Sequence, residues 1–211
     1  MAELESTTIP AKNTLGLELA IIPLGVALNL ALGSLVQWLK LPIYVDAIGT
    51  IAVTMLVGLR AGIIAGVLGN VLPSVLGINP NLWAFSGTQA MIAIFTHIVA
   101  TRGAFSSYWK LILAGLGMGV VSALVSAPVA VLVFGGVTAS GTSLIVAVLM
   151  KSGQNIWASV IKAAMVFDVS DKVLQYLLVG WLLRGMPKSL LRAFPGKALR
   201  INKFLGDTPG A

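Results

Sequence analysis

Cysteine is missing from this chain, and histidine occurs once, as His97. The first absence excludes disulfides, thiolate nucleophiles and cysteine-held metals, and the second leaves a histidine-built metal site without enough ligands. Charge is scarce as well. Asp, Glu, Lys and Arg make up 10% of the 211 residues, against roughly 25% in an ordinary soluble domain. Catalytic signatures are absent too: no G-x-x-x-x-G-K-[ST] loop for nucleoside triphosphates, no H-E-x-x-H and no G-x-S-x-G. Asp168 and Asp171 stand close together on one segment, not on facing helices as an aspartyl membrane protease needs. The chain therefore reads as non-catalytic, with no cofactor and no metal.

Apolar residues fill the space left by these absences. They make up 57% of the chain, and the mean hydropathy is +0.96, as expected of an integral membrane protein. The formal net charge of +7 could suggest nucleic acid, but the basic residues sit in connections and in the C-terminal stretch, where membrane proteins keep them. The expected surroundings are a lipid bilayer, with no nucleic-acid partner.

A bilayer core about 30 Å thick takes about 20 apolar residues per helix. Six segments approach that length: 15–39, 44–59, 61–77, 83–100, 110–136 and 157–184, each bounded by Pro, Gly or charge. They predict an all-α membrane protein of six transmembrane helices. A polar N-terminus over 1–13 lacks the basic start and short apolar core of a secretory signal; a six-helix domain spans 14–187; a basic tail covers 188–211. Residues 137–157 have an apolar centre too short to cross, which reads as a half-helix or as an external loop folded back on the bundle.

Arg60, then Arg102 with Lys110, then Arg184, Lys188, Arg192, Lys197, Arg200 and Lys203 mark alternate connections. The positive-inside rule puts these on the cytoplasmic side of the cell membrane, with both termini inside, and leaves 40–46, 78–82 and 137–156 outside. Gly62 with Gly66, and Gly115 with Gly119, are small-residue pairs at a four-residue spacing. They are expected to bring helices of the same chain into close contact.

Ionisable groups within membrane segments are costly and need water, a partner or a ligand. Asp46 opens the second segment; Lys162, Asp168, Asp171 and Lys172 lie in the last. Asp168 and Lys172 are four apart and can pair on one helix face, which leaves Lys162 and Asp171 without a local partner. Amides add Asn70, Asn79, Asn81, Gln89, Gln154 and Asn155, and rings add Trp38, Tyr44, Trp83 and Trp157. Taken singly, the rings fit an interfacial belt. Taken together, each outer connection offers an aromatic and an amide or carboxylate, the mixture of a site for a small, planar, polar ligand. His97 reads as a packing residue. If the last helix breaks near "DVSD", Asp171 joins that site; if it does not, Asp168 pairs with Lys172.

The stretch "LPIYVDAIGTIAVTMLVGLRAGIIAGVLGN" resembles the S components, the substrate-specific membrane subunits, of energy-coupling factor (ECF) transporters. The similarity lies in a proline and an acid at the mouth of the second helix, then "GT", a tight Gly-rich turn, and a third helix ending in Asn70. "DKVLQYLLVGWLLRGMP", residues 171 to 187, looks like the last helix of such subunits. The resemblance implies a six-helix subunit of an ABC-type importer that takes a vitamin-like micronutrient from outside. It also implies partners: a T component and two ATPases. In that family an alanine-x-x-x-alanine pattern on the first helix meets the T component, and Ala27 and Ala31 supply it here, with Asn29 between them as a departure. The site read from the polar and aromatic residues comprises Tyr44, Asp46, Asn70, Asn79, Asn81, Trp83, Gln89, Gln154, Asn155, Trp157 and Asp171. Asp46 among aromatics suits a heteroaromatic ring bearing a donor or a positive charge, such as a pyrimidine- or thiamine-like compound.

Two other readings stand beside this one: a self-contained channel or secondary carrier, and a membrane-bound structural or sensory module. Asp46 itself has two readings. It can cap the helix that follows it, or it can face a ligand.

Overall fold

The computed structural model describes residues 12–138, 140–196, 198, 199 and 202. The expected polar stretch 1–13 lies almost wholly outside these residues, as do Lys197, Arg200 and Lys203 of the basic tail. Among the described residues every regular element is a helix: α1 (Lys12–Trp38), α2 (Ile48–Leu56), α3 (Leu59–Val75), α4 (Ser86–Thr101), α5 (Tyr108–Phe134), α6 (Thr142–Lys151), α7 (Ile156–Gly185) and α8 (Lys188–Leu191), with short 3₁₀ turns at Leu82–Phe85 and Ala104–Ser106.

Three helical stretches are long and apolar enough to cross a membrane, Leu15–Trp38, Leu82–Thr101 and Tyr108–Phe134. These are fewer than the six spans expected. The second segment fails first: α2 has nine residues, about 14 Å of helix. Residues 44–47 are not helical, and Val45 has φ +50°, a left-handed conformation that a β-branched residue adopts only when its surroundings enforce it. Gly58, at φ 138°, ends α2 and starts α3, whose 17 residues span about 26 Å. α7 has length to spare, with 30 residues, but carries Lys162, Asp168, Asp171, Lys172 and Arg184. It runs unbroken through "DVSD". Residues 142–151 form the half-helix α6, which packs Val146 against Val160 and Ala163 of α7 and Ala127 and Val131 of α5.

Both glycine pairs pack helices of the chain together, as their spacing predicts. Gly62 and Gly66 lie against Thr54 and Thr50 of α2, and Gly115 and Gly119 lie against Val173 and Val169 of α7. A side chain at Gly62, Gly115 or Gly119 would collide with its neighbour, and one at Gly66 would crowd Thr50 and Gln89. Leu24, Val75, Leu113, Leu132, Val166 and Trp181 face outward and are exposed, an apolar surface suited to hydrocarbon rather than water.

The two ends of the bundle are built differently. At one end the C-terminal residues fold back: Gly196 N–H donates to Leu56 O, a carbonyl at the end of α2 (2.9 Å). Asn202 Nδ2 donates to Ala100 O and Ala198 O, and Phe105 N–H donates to Asn202 Oδ1. Arg184 donates to Phe105 O (2.8 Å) and lies 4.3 Å from the Tyr108 ring. The other end holds the connections at 39–47, 76–85 and 135–141, and between them the bundle opens into a cavity.

Candidate functional site

Asp171, fully buried at mid-α7, is the anchor of this end. Its Oδ1 accepts from the backbone N–H groups of Tyr44 (3.1 Å) and Val45 (2.9 Å). Its Oδ2 accepts from Lys172 Nζ (2.7 Å) and Gln175 Nε2 (2.6 Å). Four donors saturate the carboxylate, and two of them hold Val45 in its unusual conformation. Gln175 Oε1 takes the next free N–H of the same stretch, from Ala47 (2.9 Å).

The N-terminus of α2 is capped from another helix. Asn29 Oδ1 on α1 accepts from Gly49 N–H (2.7 Å) and Thr50 N–H (3.4 Å), satisfying donors that a helix start leaves open. Asn29 Nδ2 donates to Thr50 Oγ1, Thr50 Oγ1 to Gln89 Oε1, and Gln89 Nε2 to the backbone oxygen of Asp46 (2.8, 2.9 and 3.1 Å). Asp46 does not take the capping role: the residue before α2 is Ala47, and the N–H groups of Gly49 and Thr50 go to Asn29. Asp46 Oδ1 has no hydrogen-bond partner, and Lys172 Nζ stands 3.5 Å away.

Asp46 lines a cavity of about 140 Å³ formed by residues of α1, α3, α4, α5, α6 and α7 with the connections between them. Three more buried polar atoms, on residues that line the cavity, have no hydrogen-bond partner: Asn70 Nδ2, Thr88 Oγ1 and Asp168 Oδ1. Such atoms are uncommon in a folded interior, where leaving one unmatched costs about 1–3 kcal/mol. Asp168 Oδ2 accepts from Ser126 Oγ (3.1 Å), and Asp168 makes no ion pair with Lys172. The pairing expected from their four-residue spacing is replaced by Lys172 with Asp171 and Asp46, because the 44–47 stretch brings its own carboxylate to that lysine.

Of the residues singled out in the sequence, Tyr44, Asp46, Asn70, Asn79, Asn81 and Gln89 line the cavity. Tyr44 is oriented by Thr142 at the start of α6 (2.9 Å), and Asn79 by Gln37 of α1 (2.9 Å). Asp171 lies beneath the wall as its anchor and not on its surface. Trp83, Gln154, Asn155 and Trp157 lie off the cavity. Trp83 and Trp157 point outward at 58% and 42% exposure. Asn155 caps α7 by accepting from Ala158 N–H (2.8 Å). Gln154 accepts from Lys162 (2.9 Å), which supplies the partner Lys162 lacked in the sequence. Ala27 and Ala31 are exposed on the outer face of α1, while Asn29 is turned inward. Sequence reasoning missed Thr88, Ser122, Ser126, Gln175 and the cavity-facing role of Lys172. No family model matches this chain, and none of the curated proteins or solved structures is similar to it. Its function has to be read from the cavity.

Proposed function

We propose that this chain is the substrate-binding membrane subunit of an ECF-type importer, capturing a vitamin-like solute in the cavity between α1 and α7. The observation that carries the reading is the set of residues lining one cavity that hold unmatched buried polar atoms, Asn70, Thr88 and Asp168 with Asp46 beside them. Uncompensated groups of this kind destabilise a fold unless something else binds them. In this reading the cavity opens to the outside, since Arg60, Arg102, Arg184, Lys188 and Arg192 gather at the opposite end, the one the positive-inside rule turns to the cytoplasm. Both termini are then cytoplasmic in the cell membrane.

The chain itself does not hydrolyse ATP in this account; a T component and two ATPases drive delivery. Ala27 and Ala31 offer the small, exposed strip on α1 that a close helix crossing requires. Affinity purification from native membranes is expected to recover a T component and two ATPases, and Ala27→Trp or Ala31→Trp to lose them without loss of the folded chain. Uphill transport by the purified chain alone in liposomes would overturn the proposal in favour of a self-contained carrier.

A further inference from the structure

Counted by formal charge, the acids around the cavity outnumber the bases. Asp46, Asp168 and Asp171 meet one cation, Lys172, and its Nζ is committed to Asp171 at 2.7 Å, with Asp46 at 3.5 Å. Asp168, a cavity-lining residue only 3% exposed, has Ser126 as its one hydrogen-bond donor and leaves Oδ1 unmatched. The volume suits a small solute. A cavity of about 140 Å³ is the size of one that holds a single benzene ring, about 150 Å³. Leu30, Ile43, Phe85, Ile92 and Val160 supply apolar walls for such a ring. Among the described residues no three His, Cys, Asp or Glu side chains are grouped to share a metal ion, so an inorganic divalent cation lacks its ligands.

Resting on the reading of the cavity as a solute site, we infer that its substrate class is a singly charged organic cation with one ring and N–H donors. Asp168 Oδ1 receives the charged donor. Thr88 Oγ1, from α4, is a further acceptor, and Asn70 Nδ2 donates to a ring nitrogen or carbonyl. Asp46 adds long-range attraction while staying paired with Lys172. Tyr44 and Phe85 offer aromatic faces, which attract cations. An anion would meet a surplus of negative charge, and a neutral ring would leave the Asp168 carboxylate without a counter-charge.

The test uses the full chain purified in detergent and three one-ring probes at pH 7: 4-aminopyridine, which is protonated, aniline, which is neutral, and benzoate. Binding is read by calorimetry and by the shift in thermal unfolding. The cation is expected to bind saturably and about tenfold or more tighter than aniline, the margin of a charge-assisted hydrogen bond over a neutral one, with no binding of benzoate. Asp168→Asn is expected to bring 4-aminopyridine to the level of aniline and leave aniline unchanged. The probe series on the unsubstituted chain keeps the inference testable if that variant does not fold. Aniline or benzoate binding as well as the cation, or no probe binding, overturns it. The importer reading fails separately, if no partners co-purify and the lone chain transports.

Discussion

Asn202 and Asp168 are equally buried, each 3% exposed, and they sit at opposite ends of the bundle in opposite states. Asn202 accepts from Phe105 N–H and donates to Ala100 O and Ala198 O, so that its amide joins three segments of chain. Asp168 holds one hydroxyl and leaves a carboxylate oxygen unmatched. The same cost of burial has been met by the fold at one end and left open at the other. The difference teaches where to look for function: the matched end secures the structure, while the unmatched end stores affinity for something the chain does not itself contain.

Three substitutions sharpen this contrast. The largest effect is expected at Asp171, which belongs to the open end yet is fully matched. Asp171→Ala strips a buried lysine and two backbone N–H groups of their acceptor and is expected to cost about 3–5 kcal/mol, measured as chemical unfolding in detergent, with solute binding lost as the 44–47 stretch is released. Next, Asn202→Ala is expected to cost about 1–3 kcal/mol in the same assay while solute affinity stays unchanged. Smallest for stability is Asp168→Asn, which removes an uncompensated buried charge. Its stability is expected to hold or to rise by about 1 kcal/mol, as happens when a site strained for function is neutralised. A large loss of stability at Asp168, or a loss of binding at Asn202, would break the division between the two ends.

Much of the site could be read from sequence because an acid or amide in an apolar run has few places to go. Asp46, Asn70 and Gln89 stood out for that reason, and all three line the cavity. The aromatics misled in part: Trp83 and Trp157 have the composition of either a ligand cluster or a membrane belt, and only the turn of each helix decides which. Thr88, Ser122 and Ser126 left no signal, since short hydroxyl side chains in helices commonly bond to the preceding turn of backbone. The second segment forms a shorter helix than expected, for a reason no hydropathy pattern carries. The chain around Val45 is pulled out of helical geometry by Asp171, a residue 126 positions away. That contact also redirected Lys172 from Asp168 and so created the unmatched carboxylate. Asn29, set down as a departure on the outer face of α1, is the cap of α2 from inside.

The central claim, that the cavity holds a solute on its unmatched polar groups, is tested most directly by denaturing equal amounts of the purified chain and of Asp168→Asn and identifying what each releases by mass spectrometry. The expected result is a one-ring compound released near one per chain from the unsubstituted protein and about tenfold less from the variant, with both chains folded beforehand. Equal release from the two, or none from the unsubstituted chain, would contradict it.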